Sequence, residues 1–321
     1  MESYKGSTVV VTGATGLIGK TLIRVLQAQG AQVVAVVRDL ARGRQLLGED
    51  LRFIETDVTE IEAEDIGADY VIHGAANTSS RAFVEDPVSI INTAYQGTLR
   101  MLEFARVNQV KGFVLLSTME VYGAPETDEK IREDHATNLN TMSVRSSYPE
   151  SKRLCEALCA AYVKQYGLPA KVVRLTQTFG PGVRYGDSRV FAEFARCVIE
   201  KRDIVLHTKG ETRRCYLYTE DAAGAILTVL ARGKAGEAYN AANEETYCSI
   251  AEMAGMVAAS CADSEIRVVI NAEDDGAKYG FAPVLRMNLD TAKLRKLGWN
   301  AETELEEMFM RMIADMKAQC S

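Results

Sequence analysis

A β-branched apolar run that breaks into three glycines spaced three apart constrains this chain more than any other feature. It reads Val9-Val10-Val11-Thr12-Gly13-Ala14-Thr15-Gly16-Leu17-Ile18-Gly19, with apolar residues at helical spacing behind it. The pattern is a strand, a tight turn and a helix start. Without side chains the backbone turns sharply at Gly13, approaches a pyrophosphate at Gly16 and lets helix and strand pack closely at Gly19, while the helix N-terminus faces the anion. Gly13, Thr15, Gly16, Leu17, Ile18 and Gly19 are therefore expected to hold a dinucleotide. A glycine-rich turn with a purely structural purpose is the competing reading.

Strand-like segments at 8–12, 32–37, 51–55, 69–73, 112–117 and 171–175 alternate with helical patterns such as Leu22, Val25, Leu26 and Leu99, Leu102, Phe104, Ala105. Such alternation implies an α/β fold with a doubly wound parallel sheet, the Rossmann arrangement. Ligands then bind beyond the carboxyl ends of the strands, where Gly13, Arg38, Asp57, Ala75 and Thr118 would gather. After residue 176 the alternation loosens into Gly180-Pro181-Gly182, a helical stretch at 190–201, a polar segment at 209–221, a second helix at 222–231 and a short strand near 238–240. The expected division is a dinucleotide-binding domain at 1–176, rejoined by 215–245, and a smaller C-terminal substrate-binding lobe at 177–214 and 246–321.

Size and charge narrow the partners. The 321 residues, 47% hydrophobic and 25% charged, suit one large α/β unit or two modest ones. A net charge of −7 without a basic stripe argues against a sequence-independent nucleic-acid binder. No apolar run approaches the ~20 residues of a membrane span, and no signal-peptide core precedes the first strand, so the expected location is cytoplasmic. Seven cysteines form neither a disulfide framework nor a zinc pattern and read as reduced, mostly buried thiols. The three histidines are far apart, with core or loop roles expected rather than a metal site.

Tyr148-Pro149-Glu150-Ser151-Lys152 sets a phenol and an ammonium four residues apart on one helix face, with Thr118 at the end of the fifth strand. Beside an oxidised nicotinamide, Lys152 is expected to stabilise phenolate and lower a pKa that starts near ~10, so that Tyr148 removes a hydroxyl proton as hydride leaves. Thr118 would hydrogen-bond the same oxygen. The alternative is an amphipathic helix with a packed Tyr and a solvated Lys.

With these residues in view, the chain resembles an extended short-chain dehydrogenase/reductase of the NAD(P)-dependent nucleotide-sugar epimerase/dehydratase family. The match runs nearly end to end. It takes in the glycine turn, Asp57-Val58, Val71-Ile72-His73-Gly74-Ala75-Ala76, Ser117-Thr118-Met119-Glu120-Val121-Tyr122-Gly123, Tyr148 with Lys152, residues 174–181, Arg214 through Tyr218 to Asp221, and residues 290–299. The resemblance implies that Asp57 and Val58 lie near the adenine, that Ala75 and Ala76 line the cofactor, and that Arg214 grips a nucleotide diphosphate. It also implies a homodimer through a four-helix bundle, for which Ala94, Leu99 and Leu102 with Leu154, Leu158 and Ala161 offer apolar faces.

Departures from the family pattern bear on the reaction. Where the sugar dehydratases carry an acid and then a base, this chain has Met119 and Glu120. A ketone at sugar C4 acidifies the neighbouring C–H, so Glu120 is either the C5 base or a solvated loop carboxylate, and Met119 cannot supply the acid. The family's decarboxylases keep only the Glu and its 4-epimerases need neither. At the end of the second strand Val37 replaces the ribose-binding Asp and Arg38 follows, which favours NADP over NAD through a 2′-phosphate; the alternatives are that Arg38 stacks on adenine with either cofactor and that Asp39 reaches the ribose. Gln177 stands at a family Asn, and Arg286 is a second phosphate cation or a surface residue. The expected activity is transient oxidation at C4 of a nucleotide-diphosphate sugar with Tyr148 as acid/base. The rivals are an NADPH-dependent carbonyl or keto-sugar reductase, a C4 epimerase with Glu120 a bystander, and a catalytically silent nucleotide-binding regulator.

Overall fold

The computed structural model describes residues 4–79, 81–136, 138–262, 265–271 and 284–320. The first half winds through β1 (Thr8–Thr12), α1 (Leu17–Ala28), β2 (Gln32–Val37), α2 (Leu40–Leu47), β3 (Arg52–Glu55) and β4 (Tyr70–His73). It continues through α3 (Ala82–Glu85), α4 (Pro87–Val107), β5 (Gly112–Thr118), α5 (Ser147–Tyr166) and β6 (Ala170–Leu175). All six expected strands are present with ends displaced by no more than one residue. β7 (Gln177–Phe179), α6 (Val190–Glu200), β8 (Ile204–Leu206), β9 (Arg213–Tyr218), α7 (Thr219–Arg232), β10 (Ala238–Ala241) and β11 (Asn243–Ser249) follow. The last elements are α8 (Ile250–Met256), β12 (Val268–Ile270), β13 (Arg286–Met287), α9 (Ala292–Arg295) and α10 (Leu305–Gln319).

The large sheet runs β10-β6-β5-β4-β1-β2-β3, parallel throughout. Its β-branched strands are apolar on both faces because both faces are covered. Val9 and Val11 point into one core with Leu22 and Leu26 of α1 and Ile226 of α7, while Val10 points into the other with Met101, Leu102 and Cys155 of α4 and α5. That is the twofold alternation of a strand sorted between two helical layers. The winding reverses between β1 and β4, which opens a crevice at their carboxyl ends.

A smaller sheet, β11-β9-β13 with β7 beside β9, packs with α6, α8 and α10 around Phe179, Phe191, Phe194, Tyr216 and Phe309. Residues 209–221, read above only as polar, contain β9: alternation in Arg213-Arg214-Cys215-Tyr216-Leu217-Tyr218 suits a strand with one wet end. A second difference concerns the helices expected to face a partner. Ala94 and Leu102 are buried in the protomer's own core and Leu99 is half-buried, because that side of α4 lies on the sheet. The outward apolar residues of α4 are instead Val88, Ile91 and Tyr95; on α5 the expected Leu154 and Ala161 are exposed and Leu158 is half-buried. Among the described residues no helix is long and apolar enough to cross a membrane.

Candidate active site

The glycine turn is shaped by its neighbours to different degrees. Gly13 has φ +69°, and a Cβ there would lie 2.6 Å from Gly74 O; on Gly19 a Cβ would lie 2.2 Å from Gly13 O. These two glycines are demanded by packing within the protein. At Gly16 the nearest atom to such a Cβ is Gly13 O at 3.1 Å, and the residue is exposed. Gly16 is also the N-cap of α1, with no side-chain cap and no acidic residue in the first turn, so no side chain competes there for the helix N–H groups. Thr15, Leu17 and Ile18 are half-buried around it. The turn therefore fits an anionic dinucleotide, with Gly16 the point left open for it.

Beyond β2, Arg38 is exposed and has no hydrogen-bond or ion-pair partner among the described residues. The Asp39 carboxylate is already used: Oδ1 accepts from Arg42 N at 2.9 Å, capping α2. Asp57 is half-buried and its Oδ1 accepts from Thr59 N (2.9 Å) and Thr59 Oγ1 (2.8 Å), while Val58 packs against Gly97. Ala75 and Ala76 are half-buried just past β4, and the Ala75 N–H donates to Thr12 Oγ1 at 3.1 Å.

Thr118, Tyr148 and Lys152 are all buried and come together at the end of β5 and the first turns of α5. Burial pushes the Tyr148 phenol up, and Glu120 pushes the same way; the hydrogen bond with Thr118 opposes them. The protein side chains alone thus do not produce the expected lowering. Lys152 Nζ donates to Leu116 O at 2.8 Å, and burial lowers the ammonium. Phe83 of α3 lies flat on the Tyr148 ring, with centroids 4.4 Å apart and planes 7° from parallel, and Ser147 Oγ donates to Phe83 O at 3.0 Å.

Glu120 is half-buried in the short 3-10 turn at Met119–Tyr122. Burial raises its carboxyl, and the guanidinium groups of Arg145 and Arg214 pull it back. Arg145, unmarked by the sequence reading, lies over Phe83 at 5.8 Å and has no hydrogen-bond or ion-pair partner among the described residues. Its signal was local: it precedes Tyr148 by three residues. Met119 packs into a core with Val121, Cys215 and Met287; Thr176 Oγ1 lies 3.3 Å from its sulfur and donates its proton to Cys215 O at 2.6 Å. No proton donor stands at that position.

On the smaller sheet, Gln177 and Tyr216 are register partners, and Arg214 lies two residues along β9. Gln177 Oε1, Arg214 Nε and Tyr216 Oη are buried without hydrogen-bond partners, a cost unless a ligand or water meets them. Arg286 pairs in register with Arg213, not Arg214, and its guanidinium forms an ion pair with Asp128. A phosphate there would have to compete with that carboxylate.

Residues 9–242 match the family described as NAD dependent epimerase/dehydratase. The chain is 29% identical over 306 residues to UDP-glucuronic acid decarboxylase 1 of Danio rerio, covering 93% of this chain and 70% of that protein. It is likewise 29% identical over 318 residues to UDP-glucuronic acid decarboxylase 6 of Arabidopsis thaliana, covering 96% and 88%. Among solved structures, UDP-glucose 4-epimerase from Thermotoga maritima is similar with a TM-score of 0.83 at 22% identity, covering 98% of this chain and 100% of that one. The dTDP-glucose 4,6-dehydratase of Streptomyces venezuelae, with NAD bound, is similar with a TM-score of 0.80 at 24% identity over 97% of each chain. The matched span takes in both the glycine turn and the Thr118, Tyr148 and Lys152 cluster, and the chain is an enzyme of the NAD dependent epimerase/dehydratase family.

Proposed function

We propose that this enzyme oxidises the C4 hydroxyl of a nucleotide-diphosphate sugar, changes the transient ketone at C5 and returns it to an alcohol. Bound over the glycine turn, a nicotinamide dinucleotide supplies the hydride acceptor and then the donor. Tyr148 takes the C4 hydroxyl proton, Thr118 holds the same oxygen, and Lys152 favours the phenolate. Arg214 meets the diphosphate, which would take up its unpartnered Nε–H, while the unpartnered Gln177 Oε1 accepts from a hydroxyl of the substrate. The lobe built on β7, β9 and β11 is the substrate-binding part.

Loss of a C6 carboxylate is the favoured change, the one that gives the similar UDP-glucuronic acid decarboxylases their name. A C4 ketone makes a hexuronate a β-keto acid, so the C5–C6 bond breaks, CO2 leaves with C6, and the bonding pair remains as an enolate. Glu120, its carboxyl raised by burial, delivers the proton that C5 then needs. The observation that carries this reading is Glu120 held half-buried beside two guanidinium groups while Met119 is packed away. Exposed Arg38, with no partner among the described residues, supports NADP as the dinucleotide. Seven unpaired cysteines suit a reducing compartment. The outward stripe Val88, Ile91 and Tyr95 beside Leu154 supports a homodimer.

The test is turnover of UDP-glucuronate and UDP-glucose in deuterated water, with either dinucleotide. CO2 release and one deuterium at C5 of the product are expected, with no net consumption of cofactor and no turnover in Tyr148→Phe. Inversion at C4 without label would move the assignment to a 4-epimerase. Stoichiometric use of NADPH would move it to a reductase.

A further inference from the structure

His73 ends β4, and the proposed reaction gives it nothing to do. Its ring is nevertheless wired on both sides. Thr12 Oγ1, the last hydroxyl before the glycine turn, accepts from the backbone N–H of Gly74 and of Ala75, each at 3.1 Å. The same oxygen lies 2.8 Å from His73 Nδ1. A hydroxyl offers two lone pairs and one proton, so with both lone pairs taken the proton points at Nδ1, which must accept it. The ring proton is then on Nε2, which donates to Thr98 Oγ1 of α4 at 3.2 Å. Burial, helped by the Lys152 cation, brings the ring down to about 3, so it is neutral and has one donor and one acceptor.

The peptide held in this way matters for the turn. A Cβ on Gly13 would stand 2.6 Å from Gly74 O and 2.9 Å from Ala75 N, so the Gly74–Ala75 peptide and the glycine turn touch along their backbones. Rotation of one displaces the other. We propose that His73 is a positioning residue for the dinucleotide cradle: its Nε2–H tautomer commits the Thr12 hydroxyl as a double acceptor and so fixes the Gly74–Ala75 peptide against Gly13. The proposal rests on the reading of the turn as the dinucleotide site.

The chain has only three histidines, so a long-range proton–nitrogen correlation spectrum of the full-length protein resolves each ring. His73 should show a protonated Nε2 and a bare Nδ1, and should stay neutral through the pH range in which an ordinary imidazole titrates. A protonated Nδ1, or titration near the ordinary value, overturns the proposal. In calorimetric titrations with NAD and NADP, Thr12→Val and His73→Leu should each weaken binding about tenfold, the scale of buried donors left unpaired. The double variant should lose no more than either single one. His73→Asn keeps an acceptor towards Thr12 and should recover most of the affinity, with nucleotide-sugar binding unchanged in all of them. Undiminished dinucleotide affinity in His73→Asn together with His73→Leu, or additive losses in the double variant, overturns the proposal. Should His73→Leu fail to fold, the spectrum of the unaltered chain and the His73→Asn titration still decide. Absence of dinucleotide binding by the unaltered chain overturns the reading of the turn and the proposal with it.

Discussion

The phenol of Tyr148 is held between opposing influences, and each can be removed by one substitution. Burial and the Glu120 carboxylate both raise it, while Thr118 lowers it. Below the phenol's pKa the phenolate fraction grows with pH, so the first oxidation should quicken as pH rises. Glu120→Gln keeps the shape and removes the repelling charge, so Tyr148 ionises more easily and that rising limb should move to lower pH. Single-turnover nicotinamide absorbance across pH reads this, and a limb that stays put or moves up would separate Glu120 from Tyr148. The same substitution should abolish deuterium incorporation at C5, since the amide N–H is far too weak an acid to replace the carboxyl proton. At Arg38, truncation to Ala should cost about 1–3 kcal/mol of NADP affinity, the scale of a lost charge-assisted hydrogen bond, and leave NAD nearly unchanged. Equal losses for both dinucleotides in parallel titrations would mean that the guanidinium only stacks on adenine.

Among the elements, the β1–α1 unit separates two kinds of glycine that look alike in sequence. On Gly19 a Cβ would stand 2.2 Å from backbone oxygen, which neither helix nor strand can yield without moving apart, so Gly19→Ala should lower the melting temperature markedly. On Gly16 the tightest approach is 3.1 Å, so Gly16→Ala should melt near the unaltered protein and yet bind dinucleotide more weakly. Equal melting losses would show that both are packing residues. The six strands were legible because a parallel strand covered on both faces is an uninterrupted β-branched run. β9 was less so: its first two residues are arginines, and the apolar alternation that marks it begins only where the strand enters the smaller core. The helix α4 shows another limit, since its apolar residues lie on two faces and periodicity does not say which one meets the sheet.

For the whole molecule, the buried side of α4 and α5 belongs to the protomer, and the outward stripe is what a second copy would cover. Val88 is 67% exposed and Leu154 43%, apolar surface that a second copy would take out of water. Ile91→Asp with Leu154→Asp should therefore convert a dimer into monomers at micromolar concentration, read by light scattering. A monomer mass for the unaltered chain would remove the dimer.

By itself the sequence determined the order of strands and helices in the first half, the glycine turn and the spacing that puts Tyr148 above Lys152, because these depend on neighbours within a few residues or on a single repeating period. Tertiary structure alone decided what those groups meet. Phe83 reaches Tyr148 from 65 residues away, the charge of Arg214 on the smaller sheet acts on Glu120 beyond the larger one, and Thr12, His73 and Thr98 close a chain of hydrogen bonds over three elements. Protonation follows from burial and from such distant charges, so the state of the Tyr148 phenol, the Glu120 carboxyl and the His73 ring could not be read from local pattern.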